Sequence, residues 1–565
     1  SVVFPSGLTG IGAGAFRGCT NLVSVVFPSG LTGIGAGAFR DCANLVSVVF
    51  PSGLTGIGAG AFRDCANLVS VVFPSGMAEI GAGAFEGCSR LARVDVPALR
   101  DWFAVSFEDG GANPLLAGTA LYVGGMNVRL EGPRFDRLVI PEGVTRIPSG
   151  IFQDCTNFVS VTIPGSVTDI AASAFKGCTG LTSVTIPDGV ARVGRGAFSG
   201  CTGLSYVNVN AAVLKQGFAN VFDSSLAVRV VVAESVENIA ASAFSGCRRL
   251  TDVMLPASVT NIGASAFSGC SGLTGVTIPP SVTSIGTSAF SGCTGLTGIM
   301  AIPSGMTNIG ASAFSGCSGL TGVTIPPSVT SIGASAFLGC TGLTEVVVHP
   351  GVADIGQGAF RGCANLSRVT VPASVLERGF ANVFDASLAV RVVVAEGTAR
   401  IAAFAFSGCT GLAEVTIPPG VTSIGASAFR GCAGLTSVVI PDGVMGIGSS
   451  AFQNCGALER IVFPAGLEQI GAGAFAGCAR LARVEAPTLA AWLVVSFDDR
   501  DANPLARGAA LYLGGSVSPL ERLVIPDGTA RIGRYAFAGY MNLVSVTIPP
   551  SVASIGYSAF EGCTG

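Results

Sequence analysis

Charge is scarce in this 565-residue chain: Asp, Glu, Lys and Arg together make up 12% of it, against roughly 25% in an ordinary globular protein. Lysine is almost missing, with Lys176 and Lys215 the whole supply, and the net charge is −3, so no basic field exists to hold nucleic acid. Histidine occurs once, as His349 beside Pro350, which reads as a turn residue. With one imidazole and no C-x-x-C pair, neither a Cys/His or Ser/His catalytic arrangement nor a zinc site can be assembled. Long apolar runs are missing too: although 49% of residues are hydrophobic, Gly, Ser, Thr or Pro breaks every stretch before the ~18 residues of a spanning helix. Nothing calls for a cofactor, and the chain reads as non-enzymatic.

What the chain has instead is repetition. Residues 24–46, SVVFPSGLTGIGAGAFRDCANLV, recur unchanged as residues 47–69, and Cys19, Cys42, Cys65 and Cys88 stand 23 residues apart, as do Cys155, Cys178 and Cys201. A period in this range marks a solenoid whose units bury their apolar faces only by stacking on neighbours. In Cys178–Gly200, Leu181, Val184 and Ile186 alternate inward along a short strand and Pro187 ends it. Asp188 and Gly189 make a corner, Val190 and Val193 re-enter the core, and Ala197 and Phe198 suggest a turn or 3₁₀ helix before the next cysteine. The fold class expected is a repeat solenoid, a right-handed coil with a long parallel β-sheet on the concave face and short turns or 3₁₀ helices on the convex side. About 24 coils stacked at ~4.8 Å would make a single array over residues 1–565, on the order of 115 Å long, with strands ending at Pro28, Pro51, Pro187, Pro279 and Pro418. Both ends fall in mid-repeat, so the natural protein is expected to extend further, with an export signal and an anchor.

Irregular coils interrupt the period near 99–139, 211–232, 373–394 and 488–524. The first and last share W, S-F, A-N-P-L, L-Y and G-G, from Trp102 through Tyr122, Gly124 and Gly125 and from Trp492 through Tyr512, Gly514 and Gly515. The tryptophans are expected to fill core volume where the Phe and Cys corner is lost. The middle two share GFANVFD, Gly217–Asp223 and Gly379–Asp385. The spacing of 24 between Cys293 and Cys317 points to a bulge at Met300 or Ala301.

The 18 cysteines, one per regular coil at one position, are expected to be reduced, buried thiols, each a small hydrophobe whose S–H meets a corner carbonyl, because parallel Cβ vectors do not aim at one another. Gly10, Gly12 and Gly14 return at Gly33, Gly35 and Gly37 and are corners, not a phosphate loop. Asp499, Asp501 and Asn503 have calcium-loop spacing, yet the sister block has Asp109, Gly111 and Asn113, so a solvated loop is expected.

The string I-G-x-x-A-F-x-G-C-x-x-L-x-x-V-x-I-P-x-x-V, complete from Ile309 to Val329, resembles the BspA-like leucine-rich repeats. The resemblance implies a leucine-rich-repeat solenoid, usually exported and displayed on bacterial or protozoan surfaces, where such proteins bind host matrix and plasma proteins or other cells, with no catalytic activity. Tyr540, in a cysteine's place, and the GFANVFD coils depart from the pattern.

Strand-face positions lie four, five and seven residues after each cysteine. Most carry Thr, Ser or Val, but larger or charged groups collect at Arg93 and Asp95, Tyr206 and Asn208, Asp252, Glu345, Arg368, Glu414, Glu459 and Arg460, and Arg483 and Glu485. These are the candidate contacts for a protein or glycan ligand on host or neighbouring cells, since specificity needs variation that the Gly, Ser and Ala corners lack. A structural spacer, favoured by the identical coils, is the alternative.

Overall fold

A regular coil folds as two short parallel strands joined by hydrogen-bonded turns. The structure, a computed structural model, describes residues 1–115, 119–124, 126–127, 137–156 and 159–565; Gly125 and parts of the first irregular block lie outside them. It contains two compact units, Ser1–Pro279 and Pro280–Gly565, each a solenoid of stacked parallel strands with few helices.

In the first unit Arg137–Val139, Ser160–Thr162, Ser183–Thr185, Tyr206–Val209, Arg229–Val232, Asp252–Met254 and Gly275–Val276 form one parallel sheet, each strand from the next coil. In the second unit the equivalent run is Gly298–Ala301, Leu320–Thr324, Glu345–Val347, Arg368–Val371, Val390–Val394 and Leu412–Thr416. The strands stop two or three residues short of Pro28, Pro51, Pro187, Pro279 and Pro418. In the gap Phe50, Ile186 and Ile417 turn into the core. A second row of two-residue strands, such as Gly33–Ile34, Gly56–Ile57 and Glu79–Ile80, pairs in parallel along another side of the coil. A glycine follows most of these isoleucines, and where it does the coils approach closely: a Cβ on Gly58 would lie 2.5 Å from the Ala36 nitrogen of the preceding coil.

The core is built of columns, because each coil repeats the inward residues of the last. Leu181, Val184, Ile186, Val190, Val193, Ala197 and Phe198 are all buried. Phe16, Phe39, Phe62 and Phe85 stack with centroids 5.2, 5.3 and 5.5 Å apart, and Phe50 and Phe73 meet that column edge-on. All 18 cysteines are free, and 15 are buried. Most of the buried thiols donate to the carbonyl of a phenylalanine in the preceding coil, as Cys65 does to Phe39 at 3.2 Å and Cys270 to Phe244 at 3.0 Å. Burial pushes the Cys88 thiol from its ordinary 9.0 up to about 12, and Cys247, Cys340 and Cys409 likewise. The column is not closed throughout: Cys19 is exposed and Cys155 and Cys563 are half-buried, so the expectation of uniformly inaccessible thiols fails at these three.

All six α-helices among the described residues fall in the four irregular blocks, at Leu99–Phe103, Ala211–Gln216, Phe218–Val221, Ala373–Arg378, Phe380–Val383 and Leu489–Val494. Trp102 and Trp492 are fully buried core residues, and Trp492 Nε1 donates to the Ala536 carbonyl at 2.9 Å. In the GFANVFD coils two rings replace one: Phe222 stacks on Phe198 at 5.1 Å and Phe218, 4.6 Å from Phe222, hands the column on to Phe244. Asp223 accepts from the Gly200 amide at 2.6 Å, and Asp385 from Gly362 at 2.8 Å, where regular coils offer a backbone carbonyl. The extra residue before Cys317 shifts register between Gly298 and Ile299, not at Met300 or Ala301. Gly298, with φ 80°, lets the chain kink, so Ile299 swings outward while Met300 stays buried. Nor is the Asp499 loop simply solvated: Asn503 and its sister Asn113 are buried, each donating to two carbonyls of a following coil, and Asp499 accepts from Gly473 and Ala502.

Candidate binding surface on the strand face

Alternation along each strand turns the residue on either side of a buried valine outward, and parallel register then lines up equivalent positions on adjacent strands. Ser70 and Arg93 form one such line, and Val72, Asp95 and Tyr122 the next. Arg93 donates through Nε and Nη2 to both carboxylate oxygens of Asp95 at 2.6 and 2.7 Å, and its guanidinium lies 3.9 Å over the Tyr122 ring. These hydrogen bonds raise the pKa of Arg93. Asp95 is buried beneath that arginine, so it orients Arg93 and is not itself an exposed contact.

The second unit repeats the arrangement with one more cation. Arg460 and Arg483 flank each other in register, and Glu485 is level with Tyr512. Glu485 accepts from Arg460 at 2.7 and 2.9 Å and also from Arg483 Nε, while Arg483 lies 3.8 Å over Tyr512. The Arg460 hydrogen bonds, opposed by burial and helped by Arg483, hold the Glu485 carboxyl down at about 2. Glu459 points to Arg480, 4.0 Å away at the edge of this group.

Two further rows gather the remaining candidates. Tyr206, Arg229 and Asp252 stand in register; Arg229 meets Asp252 at 3.2 Å and the Met254 sulfur at 2.8 Å. Asn208, two residues further along the same face and in line with Val231 and Met254, is half-buried, and its Oδ1 has no hydrogen-bond partner among the described residues. In the second unit Glu345, Arg368, Arg391 and Glu414 form an unbroken line of four charges, with ion pairs at its ends of 3.6 and 3.5 Å. Thus Arg93 pairs with Asp95, Arg460 and Arg483 with Glu485, and Glu345 with Arg368, whereas the Arg93 and Tyr206 groups lie on different sheets.

Four members of these groups, Tyr122, Tyr512, Arg229 and Arg391, escape a search that counts from cysteines, because their coils have none. The signal was nevertheless there, in the L-Y of both tryptophan blocks and the A-V-R-V-V-V after both GFANVFD segments. The face offers guanidinium N–H donors, carboxylates and aromatic planes, the groups of a recognition surface. Among the described residues no group of three His, Cys, Asp or Glu is placed to hold a metal ion, and no helix is long and apolar enough to cross a membrane.

Comparison with known proteins agrees with the period. The profile of the BspA type leucine rich repeat region matches six stretches, residues 1–107, 131–228, 215–318, 261–388, 380–492 and 516–565. No curated protein matches the chain. Among solved structures, a leucine-rich repeat protein from Bacteroides ovatus is 25% identical, over 83% of this chain and 92% of that one, with a TM-score of 0.28. One from Eubacterium ventriosum is also 25% identical, over 47% and 82%, with a TM-score of 0.29. The leucine rich repeat protein of T. pallidum is 30% identical, over 41% and 83%, with a TM-score of 0.25. With its repeat unit matched along most of its length, the chain belongs to the BspA-type leucine-rich-repeat family.

Proposed function

We propose that the chain is a surface-displayed binding or adhesion module that recognises a host or cell-surface protein, or a glycan, through its strand face. A leucine-rich-repeat solenoid is typically a non-catalytic binding scaffold, and the family resemblance supports export to the cell surface. The observation that carries the reading is the register: charged and aromatic side chains do not scatter but stand on neighbouring strands, as in Arg460, Arg483, Glu485 and Tyr512. Interface energy concentrates in such groups, with Tyr and Arg prominent. Replacing Arg460, Arg483 and Glu485 together with serine, with the fold checked by circular dichroism, is expected to weaken binding to matrix or plasma proteins by about tenfold or more. Unchanged affinity there and in a Tyr206→Ser, Asp252→Ser variant, with loss on altering corner residues, would falsify the strand-face reading.

A spacer role is the second reading, favoured by one observation: residues 24–46 and 47–69 are identical and present only Val and Ser to the strand face. Deleting one of these coils separates the two. Binding that tracks length alone belongs to a spacer.

A further inference from the structure

The first unit also has a groove on the side carrying the two-residue strands, of about 510 Å³. Its floor is Arg146–Ile147, Asp169–Ile170 and Arg192–Val193, paired in register. Its wall is the helix Ala211–Gln216 of the irregular coil, which packs against Arg192–Val193 and brings Lys215 and Gln216 to the rim. Asp169 sits between the two arginines, with Arg146 Nε at 3.2 Å and Arg192 Nε at 3.7 Å. The acid is largely covered and the arginine side chains are 65% and 79% exposed. Each arginine approaches Asp169 by Nε and is otherwise largely exposed, which leaves its terminal N–H groups available to a carboxylate or sulfate. Three cations face one anion, in a chain whose net charge is −3.

The form of the groove narrows the ligand. Arg146 and Arg192 are two rungs apart, roughly 10 Å, so a ligand meeting both needs anions at intervals along its length. The strand Asp169–Ile170 is paired on both sides, and the helix Ala211–Gln216 packs against the edge strand Arg192–Val193, where a peptide backbone would otherwise add. The uncharged lining is mostly small, with Ala171, Ala172, Ala191, Gly194 and Ala212 beside Ile170 and Val193, and no aromatic ring lines it to stack on a neutral sugar. We infer that this groove is a second binding site, separate from the strand face, for an anionic saccharide whose carboxylate or sulfate groups are held by Arg146, Arg192 and Lys215.

The second unit supplies an internal contrast, 162 residues on. There Asn308, Ser331, Asp354 and Glu377 stand in the places of Arg146, Asp169, Arg192 and Lys215. Its helix Ala373–Arg378 has the same form, but Arg378 pairs with Asp354 at 3.1 Å and Arg400 with Glu377 at 3.8 Å, so the charges cancel. The test gives the first groove the second one's charges. Calorimetry on the full chain would use a heparin oligosaccharide, a hyaluronan oligosaccharide bearing carboxylates alone, and a polyglutamate peptide. Binding of heparin, alone or with hyaluronan, that weakens between about 0.05 and 0.3 M salt, and falls about tenfold or more in Arg192→Asp, Lys215→Glu but not in Arg400→Ala, supports the site. Should the reversed variant melt early, Arg192→Gln with Lys215→Gln makes the same comparison. No binding of either saccharide at low salt, full binding by the reversed or Gln variant, or polyglutamate binding tighter than both saccharides overturns it.

Discussion

The guanidinium of Arg483 lies 3.8 Å above the ring of Tyr512, and its Nε donates to Glu485, so a flexible side chain is fixed from below and from the side. Arg93, Asp95 and Tyr122 repeat the arrangement in the other unit. Cation–π contact and a charge-assisted hydrogen bond together remove rotamer freedom that binding would otherwise have to remove. In this way the strand face presents oriented arginines where coils such as 24–46 and 47–69 present only Val and Ser.

Acid should loosen this group late. Because Arg460 and Arg483 hold the Glu485 carboxyl at about 2, below its ordinary 4.5, its contribution is present above pH 4.5 and is lost as pH falls through 2. Side-chain carbonyl NMR is expected to show Glu485 titrating at least one unit below an exposed glutamate, and Arg460→Gln should move it back up; an ordinary midpoint in the intact protein would contradict the pairing.

Two neighbouring glycines separate close approach from mere presence. At Gly58 a Cβ would meet backbone of the preceding coil at 2.5 Å, whereas at Gly56 nothing lies within 4 Å. Gly58→Ala should cost about 1–3 kcal/mol in denaturant unfolding, by forcing coils apart, and Gly56→Ala less than about 0.5 kcal/mol. Equal effects would mean that coil spacing does not set the I-G signature.

Thiol chemistry should report the columns. A bulky maleimide is expected to label Cys19 in the native protein, Cys155 and Cys563 more slowly, and the 15 buried thiols only after unfolding. The fold favours the neutral thiol of Cys88, raised from 9.0 to about 12, so the unfolded chain ionises first. Stability is therefore whole below pH 9 and declines as pH climbs towards 12. Replacing Cys88 and Cys270 with alanine should flatten that decline while lowering stability at neutral pH by about 1–2 kcal/mol per site.

The regular coils were legible because their rule is short: a period of 23, inward Leu, Val and Ile, and a Phe and Cys corner, each repeated until chance is excluded. The second row of strands was not, since two residues such as Gly33–Ile34 carry no alternation to read. Nor was the partnership of Arg93 with Tyr122, which depends on an irregular coil returning to register after its detour. Outward direction could be counted from the cysteines; the burial of Asp95 could not, because it follows from an arginine folding over it.

The tryptophans should differ despite equal burial. Trp492 donates Nε1 to Ala536, whereas Trp102 Nε1 has no partner among the described residues. Trp492→Phe removes a buried hydrogen bond as well as volume and should cost about 1–2 kcal/mol more than Trp102→Phe. Matching losses in urea melts would assign both indoles to packing alone.

Phe404 offers the reverse case, a substitution that should help. It occupies the corner position where Ser427 and Ser450 stand in later coils, with φ 61° against their 55° and 56°, and the residue is 59% exposed. The neighbouring coil and the local turn fix that backbone, since the Phe404 amide donates to Ala426 of the next coil at 3.0 Å and its carbonyl accepts from Ser407, three residues on, at 3.0 Å. A left-handed conformation costs an ordinary L residue about 1 kcal/mol or more, a cost that a largely exposed ring does little to offset. Asparagine tolerates the region without the unfolded-state entropy of glycine. Phe404→Asn is therefore expected to raise unfolding stability by about 0.5–1 kcal/mol and slow amide exchange at the corner, while Phe404→Ala, which keeps the strain and loses the remaining packing, gains nothing. If asparagine instead destabilises by more than about 0.5 kcal/mol, the ring is packing in a way its exposure conceals and the strain at this corner is not the larger effect.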